Sequence, residues 1–188
     1  LDVSDPAAGV EVLSAYNDQL TGGVHNLFLY GQHAYVINNS RRFDVIDLED
    51  PRKPFRVGRF TLDTPGAAIH DIWILDGVAF TSNWKDGVVA IDVGGGGGGG
   101  SPSHPVELGR YAYPNGWNHA AFPYRSPSTG KFYVFAGDEA FPYSKLRTRT
   151  TAQPNRAAGW IHVIDWDDWV SPHEVARHHV RRQTGLQG

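Results

Sequence analysis

The chain has no cysteine among its 188 residues. Disulfides, thiolate metal sites and cysteine nucleophiles are therefore excluded within it. No apolar run approaches the roughly 18 residues that a membrane-spanning helix needs. Positive charge is not in excess either: 17 Lys and Arg stand against 20 Asp and Glu, a net charge of −3. That balance removes the electrostatic case for nucleic acid or an anionic membrane surface as the main partner. No Gly-x-Ser-x-Gly elbow, Walker-type Gly-Lys-Ser or Rossmann fingerprint occurs, and the run Gly94 to Gly100 lacks a strand-to-helix context. The first residue is Leu1 rather than Met, so no targeting leader is legible.

What is present is glycine, proline and repetition. The 22 Gly and 12 Pro, with 40% hydrophobic residues, suit many short strands joined by tight turns. One phrase occurs three times. It opens on a His, has an Ile-Asp pair at its centre and closes on a strand ending near an Arg. The copies run from His25 through Ile46-Asp47 to Arg59, from His70 through Ile91-Asp92 to Arg110, and from His119 through Ile164-Asp165 to Arg177. Successive His residues lie 45 and 49 positions apart, and His to Asp is 22 in both of the first two copies. A β-rich repeat of this length is the size of one four-stranded propeller blade.

Within each copy four strands can be placed. After His70, Ile72 to Leu75 and Val78 to Thr81 flank Asp76-Gly77, a strong hairpin signal. The third strand ends on the repeated Asp, and the fourth follows a Pro-bearing connection. The same alignment assigns His173 to Arg182 to a strand, although the string could pass for a short basic helix. The blades are expected at 23–66, 67–115 and 116–182, with 1–22 as the end of a truncated blade and 183–188 as a tail or the start of the next. The fold class is all-β, a propeller fragment of about three and a half blades. Two stretches break the phrase. The Gly94 to Gly100 run is expected to be an extended outer loop with little side-chain contact. The insertion 140–158 carries Lys145, Arg147, Arg149 and Arg156 without an apolar period.

These residues give the chain a family resemblance. His25, then Ala34-Tyr35-Val36, then Val45-Ile46-Asp47-Leu48-Glu49-Asp50-Pro51 resembles the unit of the LVIVD-repeat proteins, and Leu1-Asp2-Val3-Ser4-Asp5-Pro6 is similar to the end of such a unit. The resemblance implies a β-propeller and an exported, periplasmic or extracellular, location. It implies no particular activity. Copy three departs from the pattern, because Trp166-Asp167-Asp168-Trp169 replaces the Ser-Asp-Pro turn.

The candidate chemistry rests on repeated positions. His25, His70 and His119 each open an inner strand, and three neutral imidazoles on adjacent strands could ligate Zn, Fe or Cu. The competing expectation is that they bond neighbouring blades and turns, with no cofactor bound. Asp47, Asp92 and Asp165 are expected to accept turn N–H groups. Arg147, Arg149 and Arg156 in the insertion, with Trp166 and Trp169, are candidates for contact with a protein partner. The function expected is a non-catalytic binding or scaffold module. Its partner is another protein or the remainder of the propeller. A metalloenzyme using the His set, and an accessory subunit on a larger assembly, are the alternatives.

Overall fold

The computed structural model describes residues 1–18, 20, 22–38, 41–64, 68–112, 117–138 and 160–179. Among these residues twelve strands form three four-stranded antiparallel sheets and no helix occurs. Blade 1 comprises β1 (Val24–Tyr30), β2 (His33–Asn38), β3 (Arg42–Asp47) and β4 (Phe55–Thr61). Blade 2 comprises β5 (Asp71–Leu75), β6 (Val78–Ser82), β7 (Val88–Asp92) and β8 (Val106–Tyr111). Blade 3 comprises β9 (Asn118–Arg125), β10 (Phe132–Asp138), β11 (Trp160–Asp165) and β12 (His173–His179). Each sheet is a meander in chain order. The His173 stretch is a strand, as the repeat requires, and local helical character yields to pairing with β11.

Local sequence explains these strands. Their middle positions are rich in Val, Ile and aromatic residues, which fit a pleated surface buried on both faces. At the β5–β6 hairpin Asp76 and Gly77 both have positive φ, 52° and 73°. That is the geometry of a two-residue turn whose twist matches the flanking strands, and Asp-Gly tolerates it best.

Alternation along the strands gives every blade two apolar faces. The face turned back along the chain is here called leading, the other trailing. Tyr35, Ile37, Phe43 and Val45 on the trailing face of blade 1 pack against Ile72, Ile74, Ala79, Val89 and Ile91 on the leading face of blade 2. Val78, Phe80, Val88 and Ala90 then pack against Ala121, Phe132, Val134, Ala136, Ile164 and Trp166 of blade 3. Tyr16, Leu20 and Leu48 lie against Ala34, Val36 and Ile46 on the leading face of blade 1.

The outer strands repeat one irregularity. Val45 pairs with Gly58 but Ile46 with Arg56, Ala90 with Gly109 but Ile91 with Glu107, and Val163 with Ala176 but Ile164 with Glu174. One residue is therefore extra in each outer strand: Val57, Leu108 and Val175. Such bulges bend and twist an edge. The Gly beside the first two bulges admits the next blade's backbone. A Cβ on Gly58 would collide with the carbonyl oxygen of Pro102, and one on Gly109 with that of Trp169.

The Gly94 to Gly100 run corrects the expectation of a loose outer loop. It wraps the buried carboxylate of Asp92. The N–H groups of Gly94, Gly95 and Gly96 donate to Oδ1 at 2.9, 3.0 and 3.0 Å, and those of Gly98 and Gly100 to Oδ2 at 2.7 and 3.0 Å. Without side chains the backbone can curl this tightly, so its amides find a partner in the protein instead of in water.

Candidate functional site: a histidine ladder on the inner strands

The inner strands β1, β5 and β9 lie side by side, with β5 in the middle. The repeated His residues stand at or just before the start of these strands, so blade packing stacks them. The His70 ring centroid lies 4.5 Å from that of His25 and 4.2 Å from that of His119. His25 Nε2 and His70 Nε2 are 3.0 Å apart. His70 Nδ1 lies 3.2 Å from the backbone oxygen of His119. A carbonyl oxygen can only accept, so that bond puts the His70 proton on Nδ1. In the neutral ring Nε2 then carries a lone pair and accepts from His25 Nε2–H.

The next residues reinforce the junction. The Asn26 amide donates to the Asp71 carboxylate across the blades. Asp71 Oδ1 also accepts the N–H of Ile72 at 2.8 Å. Trp84 also packs on His70, T-shaped with 4.5 Å between ring centroids. Trp84 has a φ of 50°, uncommon for a bulky residue. Reciprocal backbone bonds with Asn118, at 3.1 and 3.0 Å, hold it in place. Trp117 packs edge-on to Trp84 at 5.9 Å, and Lys85 lies 5.1 Å over the Trp117 ring.

A second ladder runs beside the first. Phe28, Trp73 and Phe122 each follow the repeated His by three positions. Their rings form a row, 5.2 Å from Phe28 to Trp73 and 4.7 Å from Trp73 to Phe122. The sequence reading missed this row and the role of Trp84. A constant offset from each His was the available signal for the row. For Trp84 the signal was the Asn83-Trp84-Lys85-Asp86-Gly87 turn.

The three His residues thus meet, but not as three ligands of one ion. Among the described residues no group of three or more His, Asp or Glu side chains is placed to hold a metal. His119 contributes its carbonyl and a ring face to His70, whereas His25 and His70 converge through nitrogen.

The repeated Asp residues close turns. Asp47 accepts the N–H of Glu49 at 2.8 Å, and Asp165 that of Asp167 at 3.2 Å. The Lys131 ammonium, 2.9 Å from Asp165 Oδ2, holds that carboxyl below the ordinary range, and the Asp167 N–H adds to the effect. At Asp92 burial opposes ionisation, yet the glycine N–H groups outweigh it and hold the carboxyl far below the usual range.

One buried position of the third strand changes chemistry from blade to blade. Asp44, Val89 and His162 are equivalent residues of β3, β7 and β11, and all three are buried. Asp44 receives Arg59 Nε and Asn38 Nδ2, both at 2.6 Å, with Arg56 at 3.7 Å. His162 faces Asp138 at 3.2 Å and Glu174 at 3.4 Å, and Arg177 clamps Glu174 through two bonds of 2.6 and 2.7 Å. In blade 2 the corresponding Glu107 accepts from Arg110, and Arg110 also donates to Asp63 and Thr64 between the first two blades.

Of the partner candidates, Trp166 is fully buried between blades 2 and 3 and its indole belongs to the core. Trp169 packs partly exposed on the same cluster, near Phe80 and Phe132. Arg147, Arg149, Arg156 and the rest of the insertion lie outside the described residues.

The LVIVD-repeat family model matches residues 21–62 and 66–113, which are blades 1 and 2. This chain is an LVIVD-repeat protein. No curated protein matches it. The repeat accounts for the His-to-Asp spacing shared by these blades. Blade 3 has the same meander, bulge and His ladder position, with Trp166 buried immediately after the repeated Asp165. No helix among the described residues is long and apolar enough to cross a membrane.

Proposed function

We propose that this LVIVD-repeat chain is a non-catalytic binding or scaffold module, exported to the periplasm or the cell exterior. The observation that carries the reading is the trailing face of blade 3. Its Tyr133, Phe135 and Val163 are half-buried and Ile161 is exposed, while the equivalent positions of blades 1 and 2 are filled by the core residues Tyr35, Phe43, Val45, Val78, Phe80, Val88 and Ala90, with the half-buried His33 at the blade 1 equivalent of Tyr133. Apolar surface of this kind marks a protein contact. Further polypeptide of the same propeller is the favoured occupant. Repeated polar residues support the module reading as well, since Asp47, Asp92 and Asp165 close turns and His70 joins blades.

Hydroxyl-radical footprinting of Tyr133 and Phe135 tests this reading. Both should be labelled in the isolated 188-residue chain and protected in the product of the complete gene. Equal labelling in the two would overturn the docking face. Protection that requires a second gene product would assign the chain instead as an accessory subunit of a larger assembly. Fractionation of cells expressing the complete gene tests export, and a wholly cytoplasmic product would refute it.

A further inference from the structure

We propose that His25 and His70 form a two-nitrogen site for one divalent ion of the copper, nickel and zinc class, bridging blades 1 and 2. The Nε2 atoms stand 3.0 Å apart. Two imidazoles bound to one ion at about 2.0–2.1 Å, at right angles to each other, place their nitrogens roughly 3 Å apart. The pair therefore has the separation of adjacent ligands in a square-planar or octahedral shell.

The His70 tautomer is set for this role. Its Nδ1–H is held by the His119 carbonyl at 3.2 Å, which leaves the Nε2 lone pair facing His25. A backbone acceptor on the far nitrogen is the usual device that orients a metal-binding imidazole. The ring is also packed against those of His119 and Trp84. His25 needs only to carry its proton on Nδ1 instead of Nε2 for both lone pairs to meet at one point. No change in net charge of either ring is involved. The Asn26–Asp71 contact pins the two strands at the adjacent residue, fixing the spacing. His25 is exposed, so an ion and its remaining waters have access. Imidazole donors favour copper, nickel and zinc over calcium or magnesium, with copper(II) tightest. His119 is a positioning residue here, acting through its carbonyl and ring face.

The site does not depend on the module reading, and a bound ion would leave that reading standing. The test is calorimetric titration of the metal-stripped 188-residue chain with copper(II), nickel(II) and zinc(II), with electron paramagnetic resonance of the copper form. One ion per chain should bind, with hyperfine splitting from two nitrogens. His25→Ala and His70→Ala should each weaken binding at least about tenfold. His119→Ala, which keeps the carbonyl, should leave the stoichiometry at one. His33→Ala, whose ring faces Asp47 at the far end of the β1–β2 hairpin, and His104→Ala, in the loop bridged to Ser101, should change nothing. His25→Gln, which retains a side-chain donor toward His70, guards against a folding defect and should also weaken binding. Absence of a stoichiometric ion from the folded wild-type chain would overturn the proposal. So would binding that survives both the His25 and the His70 substitution.

Discussion

Asp44 and His162 occupy the same position of the third strand in blades 1 and 3, and each is buried in a shell of opposite character. Asp44 is surrounded by the donors Asn38, Arg56 and Arg59, and His162 by the carboxylates Asp138 and Glu174. The shells are themselves equivalent: Asn38 corresponds to Asp138, Arg56 to Glu174 and Arg59 to Arg177. A buried charge without its partners is far more costly than an apolar residue at the same place, so centre and shell have to change together. Blade 2 takes the third solution, with Val89 at the centre and Glu107 accepting from Arg110, which also donates to Asp63 and Thr64.

Arg59 should matter more than Asp44. Asp44 is fully buried, whereas the Arg59 and Arg56 side chains are partly exposed. Arg59→Met leaves a buried carboxylate with one strong donor, Asn38, and should cost about 3 kcal/mol. Asp44→Val, which copies blade 2, leaves cations that can turn to water and should cost less than about 2 kcal/mol. Urea denaturation of the two variants measures the order, and the reverse order would show that the pair is effectively solvent-screened.

Transplanting the blade 3 set into blade 1 should be strongly non-additive. Asp44→His alone sets an imidazole against Arg56 and Arg59 and should destabilise by roughly 2 kcal/mol or more. Adding Asn38→Asp and Arg56→Glu recreates the Asp138–His162–Glu174 arrangement. The triple variant should recover at least half of the loss, a coupling typical of residues in one network. Thermal melts of the single, double and triple variants provide the cycle.

These relationships show what was legible in the sequence. His25, His70 and His119 recur at nearly constant spacing, so their meeting on adjacent inner strands follows once the repeat is recognised. Ile46, Ile91 and Ile164 are legible for the same reason, because blade packing requires an apolar residue there in every copy. The Asp44–Val89–His162 position was hidden, since its three residues share no chemistry and their partners sit on other strands. Gly58 and Gly109 looked like ordinary members of the closing phrase. Their purpose depends on a carbonyl in the next blade, more than 40 residues away. Gly94 to Gly100 misled because entropy argues for a loose loop, whereas five amide bonds to Asp92 order it. Trp166 stood among the candidates for partner contact, although it lies inside the junction of blades 2 and 3.

The outer seam should discriminate sharply between glycine and alanine. Gly109→Ala drives a methyl into the Trp169 carbonyl and Gly58→Ala one into that of Pro102. Each should cost about 1–3 kcal/mol, the range for overpacking a tight contact. At the equivalent position of blade 3, Ala176 is exposed. Ala176→Gly should therefore change stability by less than about 1 kcal/mol, the difference in backbone entropy within a strand. Equal effects at all three positions in denaturant titrations would rule out the seam as the reason for the two glycines.

The Asp92 carboxylate should confer an acid-sensitive share of stability. Its folded-state affinity for a proton is lower than that of an unfolded Asp, so the folded state binds fewer protons near the ordinary carboxylate range. That contribution is complete above the unfolded value of about 3.9. It declines as pH falls below that value toward the depressed folded one. Asp92→Asn removes the charge and turns an amide toward part of the ring of glycine N–H groups, leaving some of them unpaired. The substitution should cost about 2–3 kcal/mol at pH 7, in line with the loss of charge-assisted bonds and unsatisfied donors. The difference between wild type and variant should narrow progressively below about pH 4, where the wild type begins to lose the same advantage. Urea denaturation midpoints across pH 2.5–7 measure this, with the approximate window set by the unfolded carboxylate value. A gap that stays constant down to the lowest pH would mean that the Gly94 to Gly100 backbone, not the charge it encloses, carries the stability.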